Sequence, residues 1–209
     1  MKGILVLEIA MALRLKGIAG SDVIEEITGQ DTATVESALQ AMVQAEHAQE
    51  TPRGLRLLPE GKDWVDELLD EERQGIDQAE MERVYEDFCS QNDLFKQLVT
   101  DWQVRTDIEE QTLNDHLDAD YDAAIINRLE ALDEAIRPVF EQAVELAPRL
   151  GRYIDRFSAA FLKLQSGDGS YLASPLKDSY HTVWFEMHEE LILLCGRNRA
   201  DEAAAGRGA

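Results

Sequence analysis

Lysine is scarce in this chain: there are six in 209 residues, alongside 14 arginines and 42 aspartates and glutamates, for a formal charge of −22. A field of that sign repels phosphate backbones, whose binding rests on cations that displace counter-ions, so nucleic acid is a poor default partner. Salt-tolerant proteomes show the same acidity, so charge alone does not separate avoidance of DNA from adaptation of the host. Cysteine is nearly absent. Cys89 and Cys195 are too few for a disulfide framework and lack a CxxC spacing, so packed apolar roles are expected for both. There is no long hydrophobic run either. The longest apolar stretch, Gly3 to Leu13, contains Glu8 and falls far short of the ~20 residues of a membrane span. It also lacks a basic leader with a small-residue cleavage site, so a cytoplasmic location without a membrane partner is expected. Missing too are a Gly-rich phosphate loop, a GxSxG elbow and an interpretable Cys–His pair. Nothing asks for a cofactor or a metal, and the chain reads as non-catalytic.

What is present suffices for a folded protein: 44% of residues are hydrophobic, enough for an ordinary core. Residues 4–16 are apolar at nearly every position and are followed by Gly17 and Gly20, which predicts a mostly buried first helix with a glycine stop. Ser21 opens a short second helix ending at Gly29. Asp31 or Thr32 caps a third, over 33–45, with Val35, Leu39 and Met42 on one face. Two short extended runs follow, separated by the turn signal Pro52-Arg53-Gly54. A further helix starts near Pro59, with Trp64, Leu68 and Leu69 inward. Helix, helix, helix, hairpin, helix is the order of a winged helix, assigned to residues 1–75.

From Gln78 onward the periodicity is helical. Val84, Phe88, Phe95, Leu98, Val99 and Trp102 recur at three- and four-residue spacings, with a break expected at Asn92-Asp93. An acidic connector spans 106–122, with seven carboxylates and no Lys or Arg. Helices are expected over 121–136, 150–165 and 178–195, with breaks or kinks at Pro138 and Pro148 and a loop at 167–169. The fold class is therefore mostly α: a winged helix, an antiparallel helical bundle over 78–199, and a flexible tail over 200–209.

The run Leu55-Arg-Leu-Leu-Pro-Glu-Gly-Lys-Asp-Trp-Val-Asp-Glu-Leu-Leu-Asp-Glu-Glu-Arg resembles the strand-to-helix exit from the wing in MarR-like regulators. That resemblance implies a fold more than a function. The segments 95–105, 114–122 and 179–191 together resemble a helical module of bacterial proteins related to phosphoenolpyruvate synthase and pyruvate phosphate dikinase. The ATP-grasp and phosphohistidine domains of those enzymes have no room in this chain. The second resemblance therefore implies a partner or auxiliary subunit of such a phosphotransferase.

Four constellations bear on chemistry. A recognition helix in the major groove needs Arg, Lys, Asn or Gln at base edges and cations at phosphates. Yet residues 21–50 hold seven carboxylates and no Lys or Arg, leaving Arg53 and Arg56 in the wing as the contacts to a backbone. Protein recognition is preferred. The alternative is a MarR-like regulator that binds DNA as a dimer and senses a small ligand. Second, His181, Trp184, Phe185 and His188 share one helical face, but imidazoles seven apart lie about 10 Å apart along the axis and cannot bind one metal. They are read as a buried aromatic seam or the lining of a ligand pocket. Third, Arg149, Arg152, Arg156 and Lys163 form a basic stripe, read as internal ion pairing or as an anion or acidic-partner site. Fourth, Asp115, His116, Asp118, Asp120 and Asp122 alternate as a calcium loop does. Ala123 and Leu129 stand where an EF-hand starting at Asp118 needs Gly and Glu, so a helix-capping acidic loop is expected. A homodimer, through the first helix or the bundle, is also expected.

Overall fold

A computed structural model of the protein describes residues 2–107, 112–204 and 206. The described chain is mostly helical, with two pairs of short antiparallel strands. It divides into two compact units, residues 1–77 and 78–209.

In the first unit, α1 (Lys2–Lys16) buries Leu7 and every residue from Ile9 to Leu13, because its apolar residues fall on nearly all sides and three helices and a strand pack around it. Arg14 and Lys16 occupy its last turn, where the helix dipole favours cations. The helix stops at Gly17, whose φ of 72° is costly for residues with a side chain. The second helix, α2 (Ser21–Thr28), begins after Gly20 without a side-chain cap, so Ser21 is the first helical residue and not the capping one. Asp31 does cap α3 (Thr32–Gln44). Its Oδ1 accepts from the Thr34 backbone N–H at 3.0 Å and its Oδ2 from the Thr34 hydroxyl at 2.7 Å, which holds the carboxyl below its ordinary range. As the spacing requires, Val35, Leu39 and Met42 are buried.

Strands β1 (Ala48–Thr51) and β2 (Gly54–Leu57) pair with Thr51 opposite Gly54, closing a turn over Pro52 and Arg53. The residues after α1 join this hairpin, with Ala19 and Leu55 exchanging both backbone hydrogen bonds at 3.0 and 2.8 Å. The last helix of the unit, α4 (Pro59–Gln74), buries Val65 and Leu69 and stacks Trp64 on His47 at 4.5 Å between ring centres.

In the second unit, α5 (Gln78–Gln103) runs without the break expected at Asn92-Asp93. Asn92 is buried in mid-helix, where its side-chain oxygen accepts from Trp184 Nε1 at 2.9 Å. A polar residue that finds a buried partner has no reason to end a helix. Two dipeptide strands, β3 (Val104–Arg105) and β4 (Thr112–Leu113), pair within the acidic connector, of which residues 108–111 lie outside the described residues. Asp118 then caps α6 (Ala119–Leu146), accepting from the Tyr121 N–H, which is the capping role expected of that loop. Pro138 lies inside α6 and neither ends it nor divides it into two helices. The buried stripe Leu132, Ile136, Phe140 and Ala143 continues across it, and this packing outweighs the lost hydrogen bond.

After a short 3-10 turn at Pro148–Leu150 come α7 (Gly151–Gln165), α8 (Ser170–Ala173), α9 (Tyr180–Leu194) and α10 (Arg199–Ala204). Helix α9 is surrounded by α5, α7, α8 and α10, while α5 packs along α6. The expectation of a loose tail from residue 200 fails for residues 200–204. They belong to α10, and Glu202, 3% exposed, accepts from the Tyr85 hydroxyl at 2.6 Å. No helix among the described residues is long and apolar enough to cross a membrane.

Candidate functional site

The outward face of α3 is set by its inward one. With Val35, Leu39 and Met42 turned to the core, Ala33, Glu36, Ser37, Gln40, Ala41 and Gln44 stand in solvent, and none of them is a cation. Beside this face the hairpin closes a groove of about 480 Å³. Leu39, Val43 and Leu55 give it an apolar floor, and Glu36 and Glu50 give it negative charge. Gln40 and Gln44 add amides able to donate and accept. Glu50 pairs with Leu55 across the strands, whereas the next pair, Gln49 and Arg56, points to the opposite face of the sheet by strand alternation. Arg53 sits in the turn itself and is exposed. Both hairpin arginines therefore lie off the groove and line a separate depression with Arg14, Lys16 and Lys62.

In the second unit the basic stripe is turned inward. Arg149 and Arg152 both reach Glu190 on α9, Nη1 of Arg149 at 2.7 Å from Oε2 and Nη2 of Arg152 at 2.8 Å from Oε1, and the Tyr153 hydroxyl donates to Oε1 at 3.2 Å. Side-chain exposure is 0% for Arg149 and Glu190 and 6% for Arg152, so these are ion pairs of the interior. Arg156 forks onto Asp178, with Nε to Oδ2 at 2.8 Å and Nη2 to Oδ1 at 2.5 Å, and lies 2.8 Å from Glu186 through Nη1. Burial alone would push the Arg156 guanidinium down, but the carboxylates of Asp178 and Glu186 hold it above its ordinary range. Three guanidinium groups thus face three carboxylates, and the cluster is close to neutral. Lys163 is exposed and outside this cluster.

His181 and His188 also part company. His188 is fully buried against Tyr85 and Phe88, with ring centres at 6.0 and 5.0 Å, and neither ring nitrogen has a hydrogen-bond partner among the described residues. Burial, with help from the charges of Arg199 and Lys96, lowers its pKa to about 4. His181 is half-buried beside Phe95 and lines a pocket of about 270 Å³ with Lys96, Trp184 and Phe185. Its pKa is also lowered by burial. Phe185 is 39% exposed, so the four residues that share a helical face divide between core and surface. Phe88, Phe95, Phe140, Phe157, Tyr180 and Trp184 form one aromatic cluster, with Trp184 within 6.3 Å of each of the others.

Compared with protein-family models, curated proteins and solved structures, the chain matches none. Function therefore has to be argued from its own surfaces. Among the described residues no group of three or more His, Cys, Asp or Glu is placed to hold a metal ion. His116 is held by Asp122 at 2.9 Å in the helix-capping loop. Cys195 contacts the Met81 carbonyl oxygen at 3.8 Å, and burial raises its thiol pKa to about 12, far from thiolate chemistry at neutral pH.

Sequence reasoning found the arginine stripe but not its partners. A signal for them existed, because Glu186 and Glu190 lie one turn apart among the apolar residues Val183, Met187, Leu191 and Leu194 of the same helix, a placement that calls for cations opposite. It also missed Arg14, Lys16 and Lys62 as companions of the hairpin arginines, since they are distant in the chain and meet only through the fold.

Proposed function

We propose that this protein is a non-catalytic regulatory or accessory factor that acts by binding another protein. Its first unit is used as a winged helix whose recognition helix, α3, reads a protein surface instead of DNA. The order α1, α2, α3, β1, β2, α4, with the Ala19–Leu55 backbone pair flanking the hairpin, supports the winged-helix assignment. The groove between α3 and the hairpin carries the functional one. It offers Glu36 and Glu50 over a floor of Leu39, Val43 and Leu55, with no Lys or Arg along it. A phosphate backbone meets repulsion there, whereas a basic segment with an apolar anchor finds both complements. The likeness of the helical second unit to a module of phosphoenolpyruvate-synthase-related proteins supports a phosphotransferase of that class as the partner.

The test is affinity purification of the full-length protein from its native host, in parallel with Glu36→Lys/Glu50→Lys. A phosphotransferase recovered in stoichiometric amount with the wild type and lost with the double variant is expected. Recovery of no stoichiometric protein, or equal recovery by both forms, removes the proposal.

A second proposal is a MarR-like dimeric regulator that binds DNA, which the exposed Arg53 and Arg56 of the hairpin favour. It requires salt-sensitive binding to the protein's own promoter, weakened by Arg53→Ala. A flat titration at ~50 mM salt removes it.

A further inference from the structure

Residues 1–77 contain seven lysines and arginines against sixteen carboxylates. Five of the seven, Arg14, Lys16, Arg53, Arg56 and Lys62, line one depression of about 550 Å³, with no carboxylate among its lining residues. Local stability does not account for this convergence. The dipole of α1 favours Arg14 and Lys16 at its carboxyl end, but Lys62 stands in the first turn of α4, where the dipole opposes a cation. Arg53 is in a turn and Arg56 on the outward face of a strand, so neither has a helix end to serve.

The charges of this depression are unequally matched. Arg14 is paired with Asp66 at 2.5 Å. Arg56 directs Nε and Nη2 to the side-chain oxygen of Gln49, a neutral acceptor that orients the guanidinium without cancelling its charge. The Arg53 and Lys62 side chains have no hydrogen-bond or ion-pair partner among the described residues. Three positive charges therefore face one concave volume without a carboxylate to neutralise them. Bringing them together is unfavourable unless an anion joins them.

The depression is also held in shape by backbone contacts. A Cβ on Gly54 would overlap the carbonyl of Ala19, and one on Gly61 would overlap the carbonyl of His47. The end of α1, the hairpin and the start of α4, which carry all five cations, are thus fixed against one another without intervening side chains. A rim of preset cations around Leu13, Ile18 and Leu57 suits an anion that also carries an apolar or heterocyclic body.

We infer that this depression is a binding site for a small organic phosphate bearing two or three phosphoryl groups, of about the size of a nucleotide, used as an effector. Guanidinium forks suit phosphoryl oxygens, and a triphosphate matches the three unneutralised charges. The concave form selects a compact polyanion over a duplex backbone, which lies along an extended ridge. The site is separate from the α3 groove and does not rest on the identity of a protein partner.

The experiment is calorimetric titration of the full-length protein with ATP, pyrophosphate and inorganic phosphate at ~50 mM and ~200 mM salt, and with a 20-base-pair duplex as competitor. One ATP per chain is expected, bound at least tenfold more tightly than inorganic phosphate and weakened several-fold at the higher salt. Arg53→Glu/Lys62→Glu should abolish the heat, Arg53→Ala should weaken binding about tenfold, and Lys163→Glu should leave it unchanged. The two substituted side chains of the double variant are solvent-exposed, and an unchanged circular dichroism melting curve for Arg53→Ala separates lost binding from lost folding. Absence of heat with both ATP and pyrophosphate at ~50 mM salt overturns the inference. So does binding indifferent to Arg53→Ala. Displacement of ATP by the duplex at lower concentration than ATP itself would reassign the surface to nucleic acid and overturn it as well.

Discussion

His188 is neutral because of where it sits. An imidazole enclosed by Tyr85 and Phe88, with no hydrogen-bond partner for either nitrogen among the described residues, has no acceptor to reward protonation, and the charges of Lys96 and Arg199 oppose it further. Glu202 acts the other way but does not prevail. The folded pKa of about 4 lies below the unfolded value of 6.5. Between these two values the unfolded chain takes up a proton that the folded one refuses, so stability falls as pH drops from 6.5 towards 4. The whole window is worth roughly 3 kcal/mol, at about 1.4 kcal/mol per unit of pKa. Urea unfolding at pH 7 and pH 4.5 should show most of this loss in the wild type. His188→Leu should flatten the slope, leaving a smaller residual from His181, whose pKa shifts in the same direction. Equal stability of the wild type at the two pH values would mean that the ring is accessible to a proton-stabilising partner.

Elements were legible in the sequence to the extent that one residue type fixes one backbone event. The glycines after α1 and α2, Asp31 before α3, Pro59 at the start of α4 and the Pro52–Gly54 turn all fall where local chemistry places them. Breaks inferred from weak signals failed where tertiary packing overrode them, as at Asn92, satisfied by Trp184, and at Pro138, carried along by the stripe on either side. What no local pattern supplies is which elements touch, so the pairing of Arg149, just before α7, and of Arg156, on α7, with carboxylates of α9 was only hinted at by Glu186 and Glu190, and the five-cation depression had no local signal at all. Gly54 shows the limit well: the turn predicts a glycine, but not that the segment after α1 requires one. Its φ of 121° and the nearby Ala19 carbonyl both exclude a side chain. Gly54→Ala should therefore lower stability by roughly 2 to 4 kcal/mol, combining backbone strain with a forced separation of the hairpin from the residues after α1. Hydrogen exchange should report faster exchange at the Ala19 and Leu55 amides, which bond each other's carbonyls. A variant as stable as the wild type, with those amides still protected, would show that the contact yields without cost.

Over the whole molecule, the charge of −22 sets a field that no single ion pair offsets. Carboxylates exceed cations by more than two to one, and the most deeply buried of the described pairs, Arg149 and Arg152 with Glu190, lie where salt reaches them least. The exposed pairs, such as Lys177 with Asp168, contribute little each and are weakened as salt rises. Screening therefore relieves more repulsion than it removes attraction. Raising NaCl from ~10 mM to ~1 M shortens the screening length from about 30 Å to about 3 Å, so the thermal midpoint should rise, with most of the gain complete near the ~0.1 M at which that length falls to about 10 Å. Calorimetric scans across that series provide the measurement. A midpoint that falls with NaCl would mean that the surface ion pairs outweigh the net repulsion and that the acidity is locally compensated. Pyrophosphate supplied at matched ionic strength separates general screening from a site. Screening depends on ionic strength alone, whereas occupancy of the Arg14, Lys16, Arg53, Arg56 and Lys62 depression adds a further rise that saturates with concentration and disappears in Arg53→Glu/Lys62→Glu.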